Sequence, residues 1–135
     1  MKTNKLTFIK NTPKYYEFIR NLRNDKRVQD GLLEKNVNIT KDQQQKYMEK
    51  YESNFYICLE SESPIGYIRH INEDIAVCVH PDHWGKGAGT FMVKELIKRH
   101  PNSVARIKLD NQASLRAFEK AGFKKWGYVL IPENE

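Results

Sequence analysis

The sequence predicts a single α/β domain, a mixed β-sheet flanked by helices, and three observations carry that prediction. Short runs with apolar period two interleave along the chain with longer runs of period near 3.6, the pattern of a layered α/β fold. The run Ile75 to His80 is apolar on both faces, because Ile75, Val77 and Val79 alternate with Ala76 and Cys78, which marks a central strand covered on each side. Finally, 135 residues are one domain's worth of chain, enough for a sizeable core but too few for a separate substrate domain.

The elements follow in order. Leu6 to Lys10 alternates as a first strand, and Pro13 opens a helix whose Tyr15, Phe18, Ile19 and Leu22 recur at helical spacing until Asn24-Asp25. Val28 to Asn38 is irregular, with Gly31 as a break. Thr40 then caps a polar helix with a narrow stripe of Tyr47, Met48 and Tyr51. Phe55 to Glu60 and Ile65 to Ile71 form a hairpin across the Ser61-Glu62-Ser63-Pro64 turn, and Asn72-Glu73-Asp74 turns into the central strand. After a glycine-rich loop, Met92, Val93, Leu96 and Ile97 line the inner side of a helix that Pro101-Asn102 stops. Val104 to Leu109 reads as a strand parallel to the central one, because the helix between them is a crossover. Asn111 to Ala121 is a helix with Leu115 and Phe118 inward, ended by Gly122, and Trp126 to Ile131 reads as a last strand.

Composition narrows the class. The apolar fraction of 39% and charged fraction of 30% are those of an ordinary globular protein, and no run approaches the length of a membrane span. The opening Met1-Lys2-Thr3-Asn4-Lys5 lacks the apolar core of a secretory signal, and Cys58 and Cys78 both sit in strand-like runs as small buried hydrophobes. A cytoplasmic location is the expectation from these two features. The net charge of +6 attracts polyanions, but its lysines and arginines are spread without a basic block. That distribution suits a phosphorylated small molecule better than a dedicated nucleic-acid surface. Four histidines and two cysteines show no paired metal-ligand spacing, so no metal site is expected.

The chemistry is concentrated in Trp84-Gly85-Lys86-Gly87-Ala88-Gly89-Thr90, which joins the central strand to a helix. Glycines at alternating positions let backbone N–H groups converge on a ligand, and the following helix adds its positive end, so the loop is built for a phosphate. A nucleotide-triphosphate loop needs four residues between its first glycine and Gly-Lys-Ser/Thr, a spacing this chain lacks. A dinucleotide fingerprint comes closer, with Gly85-Lys86-Gly87 as its first half and Asp110 downstream, but Thr90 stands where its third glycine belongs. The segment resembles the acyl-CoA loop of the GNAT superfamily of N-acyltransferases, Gln/Arg-x-x-Gly-x-Gly/Ala, with Gly87 and Gly89 matching and Trp84 in the Gln/Arg position. Asn111-Gln112-Ala113-Ser114, followed by Phe118-Glu119-Lys120-Ala121-Gly122-Phe123, resembles the superfamily's downstream block in the right order. In the first half, Asn21-Leu22-Arg23-Asn24-Asp25 with Val28 is similar to a segment of some amino-sugar and protein N-terminal acetyltransferases, and reads equally as a helix ending on Asn and Asp caps.

The resemblance implies a GNAT-like fold and transfer of acetyl from acetyl-CoA to a primary amine by direct attack in a ternary complex. It implies that pyrophosphate rests on the backbone of Gly85, Lys86, Gly87, Ala88, Gly89 and Thr90, with Trp84 beside it. The pantetheine arm is expected along Cys78 and Val79, one of whose amides polarises the thioester carbonyl, with Asn111 and Ser114 on the other side. Phe118 holds the place where many members carry a tyrosine, and Lys86 and Lys120 would add charge near the phosphates. The amine must lose a proton before attack, and Glu73 or Asp74 at the start of the central strand is the candidate base, with His80 and His83 behind them. Because Phe118 cannot protonate the departing sulfur, Tyr128 or Tyr67 is the candidate acid. The acceptor is left open among amino sugar, protein N-terminus and small amine. Two other functions stay open: a catalytically weak acyl-CoA-binding interaction domain, and an acyltransferase acting on a nucleic-acid-linked amine.

Overall fold

Strand pairing follows chain order in the computed structural model, which describes residues 5–31 and 37–133. Residues 1–4, where a signal sequence was sought, and 32–36, inside the irregular 28–38 stretch, lie outside the described residues. Strands β1 (Leu6–Lys10), β2 (Phe55–Glu60), β3 (Ser63–Ile71) and β4 (Asp74–Val79) pair antiparallel in that order, and β5 (Val104–Ala105) pairs parallel with β4. The two hairpins turn on Ser61-Glu62 and Asn72-Glu73, all four residues at positive φ, so each is a two-residue turn whose twist suits the flanking strands.

Side chains alternate between two cores. On one face Cys58, Ile65, Ile68 and Ile75 pack under Met92, Val93 and Leu96 of helix α4 (Ala88–Arg99) and Phe118 of helix α5 (Gln112–Lys120). On the other, Phe55, Ile57, Tyr67 and Cys78 meet Ile19 and Leu22 of α1 (Tyr16–Asn24), Val28 of α2 (Lys26–Gln29) and Met48 of α3 (Lys41–Tyr51). Each fully buried aliphatic side chain contributes about 1.5–3 kcal/mol. Thr40 caps α3 through a reciprocal box with Gln43, as its sequence predicts. Gly66 lets both β4 and α4 approach closely, since a Cβ there would lie 2.7 Å from the Cys78 carbonyl oxygen and 2.8 Å from Met92 Cε. Both cysteines are buried, and burial with the Glu60 charge pushes the Cys58 thiol up to about 12, which suits a packing role. No described helix is long and apolar enough to cross a membrane.

Two strand predictions change. The expected Val104 to Leu109 strand pairs with β4 only at Asp74↔Val104 and Ile75↔Ala105. Beyond that point the chain is drawn toward α2, where Lys108 Nζ donates to the Asp30 carbonyl (2.8 Å) and Asn111 Nδ2 to the Gly31 carbonyl (2.8 Å). Residues 126–131, expected as a final strand, form none, and Trp126 and Tyr128 are 93% and 95% exposed. Strand propensity alone does not make a strand; it needs a neighbouring edge to bond to, and β5 offers this segment too short a one.

Candidate active site

Where β5 leaves β4, the sheet opens into a cleft of about 770 Å³, a size suited to a small-molecule ligand. The glycine loop forms one end. A 3-10 turn, Pro81–His83, is capped by His80, whose Nδ1 accepts the Asp82 N–H at 3.1 Å. Gly85 and Gly87 then take φ of 82° and 83°, the left-handed region that glycine occupies without strain. Gly87 is the N-cap of α4 and brings no capping side chain, so the N–H groups of Ala88, Gly89 and Thr90 precede the first intrahelical bond, from Phe91 to Gly87 (3.0 Å). Those amides and the helix dipole make this end electropositive without a charged side chain. A Cβ at Gly85 or Gly87 would meet nothing within 4 Å, so the space beside the loop is open to a ligand.

Strand parity decides which backbone groups of β4 face the cleft. The His80 N–H donates to Ile65 at 2.7 Å, and therefore His80, Cys78 and Ala76 turn their backbone polar groups toward β3. Val79 and Val77 turn theirs the other way, toward β5 and the opening, in phase with Glu73, whose carbonyl accepts the Val104 N–H at 2.7 Å. The Trp84 indole donates to the Val79 carbonyl at 2.7 Å, which folds the half-exposed Trp84 back against the strand. Of the expected pair, then, Val79 presents its amide to the cleft, whereas Cys78 lines the cleft but turns its backbone to β3.

Helix α5 forms the opposite wall. Asn111 and Ser114 line the cleft, but Asn111 is already engaged: its Oδ1 accepts the Ser114 N–H at 3.1 Å and its Nδ2 binds Gly31. Phe118 packs edge-on against Phe123 with centroids 5.1 Å apart, and Lys120 reaches the lining. Four predicted residues fall outside it, His80 among them. Lys86 turns to Glu60 and His83, with Nζ 3.7 Å and 3.2 Å away. Glu73 sits at the tip of the hairpin turn at φ 67°, exposed, where its charge is felt by His70. Tyr128 stands on the exposed C-terminal segment. Asp74, Glu73's rival, does line the cleft and pairs with Arg106 at 3.3 Å; of the two histidines only His83 lines it.

The end away from the loop joins Tyr67, a candidate acid, and Arg23, from the Asn21 to Asp25 segment, to three arginines the sequence did not single out, Arg27, Arg69 and Arg106. Tyr67 and Arg69 project from β3 on the α1 side, Arg23 and Arg27 come from α1 and α2, and Arg106 follows β5. Arg23 lies over the Tyr47 ring at 4.5 Å, and Arg69 Nη1 is 3.5 Å from the Tyr47 hydroxyl. Burial, then Cys78 beside it, drives the Tyr67 hydroxyl well above its ordinary pKa, against the pull of Arg23 and Arg69, so Tyr67 keeps its proton. The available signal was period two: Tyr67 and Arg69 are two residues apart and share a face of β3.

The family model described as "Acetyltransferase (GNAT) family" matches residues 16–123, spanning both walls and both ends of the cleft. The chain belongs to the acetyltransferase (GNAT) family. As a GNAT enzyme it is an acetyl-CoA-dependent N-acetyltransferase. A search of curated protein sequences finds no match. Among solved structures, a domain from Methanocaldococcus jannaschii is similar at 19% identity and TM-score 0.77, over 92% of this chain and 91% of that one. Spermidine N-acetyltransferase from Vibrio cholerae, in complex with CoA and spermine, is similar at 18% identity and TM-score 0.76, over 92% and 83%. An aminoglycoside acetyltransferase in complex with coenzyme A and kanamycin is similar at 21% identity and TM-score 0.71, over 96% and 90%. At these identities the likeness is one of fold.

Proposed function

We propose that this GNAT enzyme moves the acetyl group of acetyl-CoA onto a small primary amine by direct attack, with both substrates held together in the β4–β5 cleft. The observation that carries this reading is that an uncapped helix N-terminus, an open strand edge and a charged acceptor end share one continuous cavity. The α4 amides and the Gly85 to Thr90 backbone receive the pyrophosphate. The pantetheine arm lies along Val77 and Val79 as an added strand would, and the Val79 N–H donates to the thioester carbonyl oxygen as negative charge builds on it.

The acceptor reaches the cleft mostly as an ammonium ion and gives up one proton before its nitrogen attacks the carbonyl carbon. Asp74 is the proposed base, reached through a chain of waters along β4, since it is the carboxylate of the candidate pair that lines the cavity. The C–N bond forms, the C–S bond breaks, and the sulfur departs as thiolate or takes a proton from Tyr67. A thiol with a pKa of about 8.5 leaves readily, so the acid assists the step without being indispensable to it. Thiol release from acetyl-CoA in the presence of an amine panel tests the proposal, with CoA affinity measured calorimetrically on the same preparation. Tight CoA binding without acetylation of any amine would count against transfer and for a binding role.

A further inference from the structure

We propose that Trp84 is a positioning residue for the transfer step: its indole N–H pins the peptide that follows Val79, so that the Val79 N–H stays aimed at the thioester carbonyl. The inference rests on the acetyl-transfer reading above and adds a residue that acts on the chemistry without touching the reacting atoms.

The peptide joining Val79 to His80 is held from both sides. On the β3 side the His80 N–H donates to the Ile65 carbonyl at 2.7 Å, and on the cleft side the Val79 carbonyl accepts the Trp84 indole N–H at 2.7 Å. Strand β5 cannot make the second bond, because it pairs with β4 only at Asp74 and Ile75. The indole therefore stands in for a strand amide at the point where the sheet has opened. A peptide group bonded at both its N–H and its C=O cannot rotate without losing one of the two bonds. That fixes the backbone on the C-terminal side of Val79, whose own N–H faces the cleft in the same direction as its carbonyl.

Trp84 is itself firmly mounted. Its backbone N–H donates to the Pro81 carbonyl at 3.2 Å and that of His83 to the His80 carbonyl at 2.8 Å, closing the turn that carries it. On either side of it, His83 Nδ1 and Lys86 Nζ approach the same oxygen of the mostly buried Glu60, at 3.4 Å and 3.7 Å. The ring is 54% exposed, so packing alone does not account for its placement.

The consequence for the reaction is a division of labour along the strand edge. With its carbonyl engaged by Trp84, Val79 offers the incoming acyl-CoA a donor, and the carbonyl facing the same way one pleat back is that of Val77. The register of the pantetheine arm follows: an arm N–H pairs with the Val77 carbonyl, and the thioester carbonyl oxygen meets the Val79 N–H. As the amine nitrogen bonds to the carbonyl carbon, negative charge builds on that oxygen, and a donor fixed beforehand stabilises it without reorganising. The C=O bond is restored as the C–S bond breaks and the sulfur takes the electron pair.

Two variants test this. Trp84→Phe keeps an aromatic body and removes the N–H, whereas Trp84→Gln returns a neutral N–H donor to the same position. The first readout needs no acceptor: isotope-edited infrared difference spectra of acetyl-CoA, labelled with carbon-13 at the thioester carbonyl, bound to each protein. The carbonyl stretch is expected at higher frequency in Trp84→Phe than in the parent, because a poorly aimed donor polarises the bond less, and Trp84→Gln should move it part of the way back. The second readout separates turnover from binding. The single-turnover rate with the most active amine of the panel should fall about tenfold in Trp84→Phe, less than the roughly 10²- to 10³-fold cost of losing an oxyanion donor outright. CoA affinity by calorimetry should stay within about twofold of the parent. Trp84→Leu supplies the same comparison if circular dichroism shows that Trp84→Phe does not fold. An unchanged carbonyl stretch, a loss of CoA affinity with the rate preserved, or a Trp84→Gln that recovers nothing would overturn the inference and leave acetyl transfer standing. Absence of CoA binding to the parent would remove the acetyl-transfer reading itself, and the inference with it.

Discussion

The two ends of the cleft are built by opposite means, backbone at one and side chains at the other. At the loop end the attraction for phosphate comes from backbone: the amides that open α4 behind Gly85 and Gly87, and the dipole of a 12-residue helix. At the other end the lining is made of side chains, Arg23 and Arg69 among them, mounted on separate elements and meeting at Tyr47. A backbone site is local in sequence and tolerates change in its neighbours, but it is intolerant of any side chain on the glycines themselves. A side-chain site is assembled from residues 46 positions apart in sequence, and each member is replaceable at a cost that depends on its partner.

The largest effect is expected from the loop end. Gly87→Val places a β-branched residue at φ 83°, where it is strained, and puts its side chain into the open space beside the loop. CoA affinity should fall on the order of a hundredfold, through strain and lost hydrogen bonds to the phosphates together. Calorimetry with CoA checks it, alongside circular dichroism to show that the variant folds. An unchanged affinity in a folded protein would break the comparison, because the loop would then not be the phosphate site.

The next effect concerns the base. Asp74→Asn should lower kcat about 10²-fold or more and flatten its rise with pH, leaving CoA affinity unchanged. Glu73→Gln should stay within about twofold of the parent, since Glu73 points from the hairpin tip and lies outside the cleft. Steady-state pH profiles of the two variants separate these outcomes. A large effect of Glu73→Gln with none of Asp74→Asn would move the proton path to the outside of the sheet.

The contrast between the two ends also explains what was readable in the sequence. The glycine spacing, the Asn111 to Phe123 block and the two-sided central strand are local patterns, and they led to the loop, the order of the first four strands and both walls. Arg69 carries no local mark: its place in the cleft arises from β3 parity and from the arrival of α1 and α3 over that face, which are properties of the assembled fold. Tyr128 fails for the converse reason. It lies in a run with strong strand character, but propensity cannot show that β5 stops at Ala105 and leaves that run nothing to pair with. Likewise, whether Cys78 or Val79 faces the cleft depends on a parity that the His80 to Ile65 bond fixes, information absent from composition or spacing.

The smallest effect tests the tyrosines, and it bears on how the two ends are coupled. Tyr67 lies between them on the wall of the cleft, deeply buried and keeping its proton, whereas Tyr128 is solvated and remote from the cavity. Tyr67→Phe should reduce kcat about tenfold, at or below the low end expected for general acid catalysis, because the thiolate already leaves well. Tyr128→Phe should change neither kcat nor KM. The pH dependence supplies a second readout: an ordinary phenol loses its proton near about pH 10, but burial raises that of Tyr67 well beyond it. Tyr67 remains a donor across the assay range, and no alkaline limb of kcat up to about pH 10 should disappear in the phenylalanine variant. If such a limb exists in the parent and vanishes with Tyr67, then substrate binding lowers the tyrosine's pKa, and the charges of Arg23 and Arg69 that already pull it down act on the chemical step.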